Sequence, residues 1–209
     1  MVKIIDQSYR IIKFNPVEDI NDICVGICEC YKTPMPRSFE DRCLLVKRVV
    51  NRGHESVLEH SLMSVEFTTN RGVTHEFVRH RHTGYSQEST RYCNYSTDRF
   101  GNELTFIDNS RIKNTPKYQK WLLHLQDTED LYFDMLEDFT PNEARDILPN
   151  ALKTTLLVST SFREWRSIFK LRLDKAAHYQ FRELITPLFE EVKKELPCVF
   201  EDIKFDFDI

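Results

Sequence analysis

The spacing of apolar residues changes along this chain, and the change limits the folds open to it. In "LMSVEF", Met63, Val65 and Phe67 alternate with polar residues, which is the two-residue period of a half-buried strand. Further on the period is helical, with Trp121, Leu122, Leu125, Leu131, Met135 and Leu136 marking one long amphipathic helix. Ala177, Phe181, Leu184, Ile185, Leu188 and Val192 mark another helical region, with Pro187 inside it as a point of kinking or division. The mixture predicts an α+β fold with a small, mainly antiparallel sheet and a large helical share.

Punctuation between these runs supports the same reading. "KIID", "RIIKF" and "LTFI" read as short strands, the last at 104–107. Ser38 to Asp41 resembles a helix entry, followed by Leu45, Val46 and Val49 on one face. "NRG" breaks the strand at 62–67, and Val73 to Arg81 has helical spacing with Val73, Phe77 and Val78 inward. Residues 82–92 lack a period and read as a loop. Thr140, Pro141 and Glu143 form a capping-box signature. Ser161 and Glu164 repeat the box ahead of Trp165, Ile168, Phe169 and Leu171. At 209 residues, a single domain spanning 1–209 can bury a substantial core.

Composition narrows the function classes. Hydrophobic residues make up 41%, charged residues 30%, and the formal net charge is -4, which argues against a general polyanion binder. No apolar run approaches membrane-spanning length. "MVKIIDQSYR" has no apolar signal region, so a cytoplasmic location is expected. The acidic end "FEDIKFDFDI" reads as a solvated tail or a short edge strand. Cys24, Cys28 and Cys30 have a C-x3-C-x-C spacing that fits neither zinc ribbons nor redox motifs. The cysteines are therefore read as reduced, small apolar residues.

Against that acidic background, "EFVRHRHTGYSQESTRY" at 76–92 concentrates Arg79, His80, Arg81, His82 and Arg91 with Ser86 and Ser89. Metal is a weak reading, because His75 and His80 are five apart, which on a helix rotates them off a shared face. Flanking arginines would also repel a cation. Nucleic acid is disfavoured by the short cluster and the net charge. Phosphate fits better: Arg offers a planar fork of donors, and serine hydroxyls and loop amides complete a cradle. Arg145, Arg163, Arg166 and Arg172 recur later, which suits a nucleotide or two phosphorylated ligands.

These residues also resemble the flavin-dependent thymidylate synthases. The family's R-H-R, seven residues, then S is matched by Arg79-His80-Arg81, "HTGYSQE" after Arg81, and Ser89, followed by Arg91. "RGHESVLEH" at 52–60, "EARDILP" at 143–149 and "SFREWRSIFKLRLDKAAH" at 161–178 resemble flanking family segments in the same order. The resemblance implies reductive methylation of dUMP to dTMP, with FAD as cofactor and methylenetetrahydrofolate and NADPH as co-substrates. It also implies a homotetramer whose sites are shared between subunits, and no nucleic-acid or membrane partner. The alternatives are a related pyrimidine-nucleotide hydroxymethylase and a non-catalytic nucleotide- or RNA-binding protein.

By position, the resemblance assigns Ser56, Arg79, His80, Arg81, Gln87, Ser161, Arg163 and Ser167 to FAD. It assigns Glu76, Arg79, Gln87, Glu88, Ser89, Thr90, Arg91, Arg145 and Arg172 to dUMP, with Arg172 as the catalytic candidate that polarises the uracil. His54 is expected beside the flavin and folate, and no residue is assigned to a metal. Ser89 is given a positioning role and Cys93 a structural one. Glu76, Gln87, Ser161, Ser167, His178 and Gln180 depart from residues often found at these positions in the family it resembles.

Overall fold

The computed structural model describes residues 2–205, so the last four residues of the acidic end lie outside them. In chain order the elements are β1 (Lys3–Ile5), β2 (Ser8–Lys13), α1 (Pro16–Tyr31), α2 (Phe39–Asn51) and β3 (Leu62–Asn70). Then come α3 (Arg71–Phe77), β4 (Gly84–Gln87), β5 (Thr105–Ile107), α4 (Lys117–Asp138) and α5 (Pro141–Ala144). β6 (Lys153–Ser161), α6 (Phe162–Arg172), α7 (Tyr179–Glu195) and α8 (Pro197–Phe200) complete the chain. The class is α+β. One sheet has the order β2-β3-β6-β4, and a separate two-stranded sheet pairs β1 with β5 in parallel.

The chain divides into two compact units, each drawn from three segments. The first comprises residues 1–8, 67–79 and 86–156. Its core gathers Tyr95, Leu104, Phe106, Leu125, Tyr132 and Leu152, with Trp121 and Met135 packed against it. α4 therefore buries the stripe that its helical period announced, although Leu131 is exposed. Within this unit Asn70 caps α3, its Oδ1 accepting from Val73 N at 2.9 Å. α3 stops at Phe77, so Val78 is exposed rather than inward and His80 lies outside the helix.

The second unit comprises residues 9–66, 80–85 and 157–209. Here α1 buries Ile20, Ile23, Cys24 and Ile27, an i, i+3, i+4, i+7 stripe behind Asn15 as N-cap and Pro16 at the first position. Gly26 is the close-approach point of α1: a Cβ there would lie 2.6 Å from the His60 ring. Phe162, Trp165, Ile168 and Phe169 of α6 are fully buried, and the Phe169 ring meets Phe189 and Phe200 at 5.1 and 5.8 Å between centroids. Pro187 does not divide α7, where the Thr186 hydroxyl donates to the Arg182 carbonyl at 2.7 Å.

Several expectations need amendment. α1 was not among the expected elements, although Ile20, Ile23, Cys24 and Ile27 form its buried stripe. Residues 153–161, where the apolar period marked no strand, form β6, burying Thr154, Leu156, Val158 and Thr160 on alternate positions. Part of the expected loop, Gly84–Gln87, is strand β4. Leu171 is exposed, beyond the buried face of α6. The six cysteines are free thiols, with Cys24 and Cys198 buried and Cys30 exposed. No helix among the described residues is long and apolar enough to cross a membrane.

Candidate active site

The residues singled out by the sequence fall into two groups. In the first unit, the segment Gln87–Arg91 is ordered by side chains behind it. Gln87 Nε2 donates to Thr74 Oγ1 at 2.9 Å and to Thr154 Oγ1 at 3.4 Å. Arg71, from the first turn of α3, donates to the Glu88 carbonyl at 3.3 Å and to Thr90 Oγ1 at 3.5 Å. The Glu88 carboxylate accepts from Lys153 Nζ and from the Tyr95 hydroxyl, both at 2.7 Å. Burial, then Glu88, pushes the Tyr95 hydroxyl far above its ordinary pKa, so it remains a donor.

Ser89 Oγ accepts from Arg91 N at 3.3 Å, a local turn hydroxyl in keeping with a positioning role. Thr90 is buried, while Arg91 is exposed with its guanidinium 5.3 Å from the Tyr92 ring centroid. Glu76 is half-buried on α3, and Arg79 is exposed just beyond it. Arg145 is exposed on a 3-10 turn after α5, where Glu143 closes back onto Thr140 N at 2.9 Å. A cavity of about 340 Å³ opens beside Glu88, lined also by Lys3, Tyr95, Arg99, Glu103 and Lys153.

In the second unit, a cavity of about 570 Å³ is lined by Glu59, Leu62, His82, Ser159, Thr160, Ser161, Arg163 and Glu164. It opens where β6 ends and α6 begins. Ser161 is the N-cap, its Oγ accepting from Glu164 N at 3.4 Å. Arg163 is exposed and pairs with Glu59 at 2.5 Å. His82 adopts a left-handed φ of 60°, and its carbonyl accepts from Thr160 Oγ1 at 2.9 Å. Ser56 and Arg81 are exposed and Ser167 is half-buried on α6; none of the three lines this cavity.

His80 and Arg172 meet in the same unit. Arg172 Nε donates to His80 Nε2 at 3.0 Å, and its guanidinium lies 5.0 Å from the Phe181 ring centroid. His80 Nδ1 lies 3.4 Å from a Glu164 carboxylate oxygen. The sequence placed Glu164 in a capping box; instead its carboxylate faces His80. Burial, then Arg172, lowers the His80 pKa to about 4, whereas burial raises that of Glu164. Arg79 and Arg81 are exposed while the histidine between them is buried, so the R-H-R triplet is split in environment.

Arg166 stands apart from the other arginines grouped in the sequence reading. It is fully buried, pairs with Glu55 and Asp202 at 2.9 and 2.6 Å, and donates to the Val199 carbonyl. His54, exposed, shares a 2.7 Å hydrogen bond with the Tyr31 hydroxyl. His178 Nδ1 is buried without a hydrogen-bond partner among the described residues. Sequence reading missed Arg71, Tyr95, Lys153 and the outward turn of Glu164. Only the folded arrangement reveals these pairings, which bring Lys153 to Glu88 and Glu164 to His80.

Residues 15–198 match the family described as thymidylate synthase complementing protein. The chain belongs to this family. It is 36% identical over 150 residues to the flavin-dependent thymidylate synthase of Pyrococcus furiosus, a match covering 70% of this chain and 61% of that protein. It is 31% identical over 167 residues to the Geobacter sulfurreducens flavin-dependent thymidylate synthase, covering 79% and 71%. It is 29% identical over 198 residues to the one from Corynebacterium diphtheriae, covering 84% and 75%.

The second-unit cavity is polar and of mixed charge, with its guanidinium paired to Glu59. Ser159, Thr160 and Ser161 bring hydroxyls, Arg163 a guanidinium, and Glu59 and Glu164 acceptors. Its volume lies within the range of ligand pockets.

Proposed function

We propose that the chain catalyses flavin-dependent reductive methylation of dUMP to dTMP, with methylenetetrahydrofolate as carbon donor and NADPH as reductant. The observation that carries this reading is the setting of Arg172, half-buried, held at its Nε edge by His80 and against the face of Phe181. A fixed cation stabilises negative charge developing on a bound uracil ring at little reorganisation cost.

Arg79, Arg91 and Arg145, all exposed, would supply phosphate-binding forks for dUMP, and Glu76 on α3 with Gln87, Glu88, Ser89 and Thr90 would complete its contacts. Ser56, Arg79, Arg81, Gln87, Ser161, Arg163 and Ser167 would hold FAD, which supplies the redox chemistry when bound; His80, buried with both ring nitrogens engaged, is not among them. A homotetramer in the cytoplasm is part of the same reading.

Purified protein should be yellow and should convert dUMP, methylenetetrahydrofolate and NADPH to dTMP. Colourless protein that cannot take up FAD overturns the proposal. A hydroxymethyl product would identify a hydroxymethylase, and nucleotide binding without turnover a binding protein.

A further inference from the structure

The R-H-R triplet buries its middle residue, and that residue's two ring nitrogens face groups of different chemistry. On one side is the Nε–H of Arg172, 3.0 Å from His80 Nε2. On the other is the Glu164 carboxylate, 3.4 Å from His80 Nδ1. A guanidinium has five N–H donors and no acceptor. Nε2 must therefore offer its lone pair, because a proton there would point at the proton on Arg172. The ring's one proton then sits on Nδ1, facing an acceptor.

We propose that His80 is a positioning residue, held by Glu164 as the Nδ1–H tautomer so that its Nε2 lone pair fixes the guanidinium of Arg172. This rests on the dUMP-methylating reading, in which Arg172 polarises the uracil. It changes what the triplet does: the flanking arginines face solvent, while the histidine works inward through a residue on α6.

The surroundings favour the neutral ring. His80 is only 7% exposed, and burial together with Arg172 disfavours the imidazolium. Among the described residues, Tyr85, His82 and Arg163 also bear on the pair. The Tyr85 hydroxyl donates to the His80 carbonyl at 3.0 Å and fixes the backbone. His82 and Arg163 oppose the burial effect on Glu164 and favour its ionised form. Ionised Glu164 is in turn the acceptor that keeps the proton on Nδ1. Arginine side chains have many rotamers, and a small misplacement of a polarising group costs much of its effect. Contacts on two sides of the guanidinium, His80 at its edge and Phe181 at its face, restrict that freedom.

Nitrogen-15 NMR of histidine-labelled full-length protein, with His80→Gln to assign the resonances, reads the tautomer directly. The expected result is a neutral ring protonated on Nδ1 from about pH 8 to about pH 5, below the ordinary histidine midpoint. An imidazolium at neutral pH, or a proton on Nε2, overturns the proposal.

The second arm measures dUMP affinity by calorimetry, and turnover, in wild type, His80→Ala, Arg172→Ala and the double variant. His80→Ala should weaken dUMP binding or turnover roughly ten- to a hundredfold, and the double variant should be no worse than Arg172→Ala alone. His80→Gln, whose Oε1 can accept from Arg172, should recover most of the loss. Additive losses would place His80's contribution elsewhere, and loss of flavin colour without loss of dUMP affinity would make it a cofactor contact; either overturns the proposal. Should His80→Ala fail to fold, His80→Leu carries the same cycle. Wild-type protein that binds no dUMP overturns the functional reading and the role of Arg172 in it; the tautomer measurement still decides the relay.

Discussion

Lys153, on β6, places its ammonium 2.7 Å from the Glu88 carboxylate, whose side chain is only 12% exposed. The Tyr95 hydroxyl donates to the other carboxylate oxygen at 2.7 Å, so one acidic group anchors the Gln87–Arg91 segment to a strand and to the core of its unit. Glu88→Gln removes the countercharge and leaves a half-buried ammonium poorly paired. We expect a loss of about 1–3 kcal/mol in urea unfolding. Tyr95→Phe should cost about 1 kcal/mol, and the two losses should not add, because they share an acceptor. An unchanged midpoint for Glu88→Gln would show that the anchor is not structural.

Arg166 sets the acid stability of the second unit. Burial raises the Glu55 pKa, but Arg166 and Lys170 outweigh it and leave the group below its ordinary value. The Arg166 hydrogen bond draws Asp202 down against burial. Both folded pKa values are depressed, so their stabilisation is fully present above about pH 5 and lost as pH falls through the folded values. Arg166→Met should destabilise by about 1–3 kcal/mol at neutral pH, because Asp202 loses its ion-pair partner and Glu55 keeps only Lys170. It should also flatten the acid limb of stability against pH, measured by denaturant unfolding. An acid limb as steep as that of wild type would exclude this origin.

Much of the fold was legible where period and burial coincide. The stripe from Trp121 to Leu136 is α4, and Met63, Val65 and Phe67 are the buried face of β3. β6 was not, because its buried positions alternate Thr154, Leu156, Val158 and Thr160, and threonines mask the apolar period. The R-H-R segment and its serine stood out as local charge. The residues that order them did not: Arg71, Tyr95, Lys153 and Glu164 carry no mark of their partners in sequence. Glu164 shows why, since Ser161 and Glu164 have capping-box spacing and only the fold turns the carboxylate to His80. Arg166 shows the converse, a cation in a basic run that the core claims.

His80 should leave its own mark on stability against pH. Its pKa falls from the ordinary 6.5 to about 4 on folding, so protonation favours the unfolded chain. The contribution is fully present above about pH 6.5 and declines as pH falls toward about 4. His80→Gln removes that decline between those values while leaving the carboxylate limb below them. Equal slopes in both proteins through this window would mean that the folded ring titrates normally.

Arg163 separates a ligand contact from a structural one. Its ion pair with Glu59 is half-exposed on both sides, and such pairs contribute under about 1 kcal/mol. Arg163→Ala should therefore leave the melting temperature nearly unchanged while lowering flavin occupancy, read as the ratio of visible flavin absorbance to protein absorbance. Glu59→Ala frees the guanidinium from its partner, and flavin retention should hold or rise. Arg166→Met is the contrasting case: it should lower stability first, with flavin lost only as the fold fails. A drop in melting temperature for Arg163→Ala comparable to that of Arg166→Met, with flavin occupancy following it, would show that Arg163 supports the fold and is not a cofactor contact.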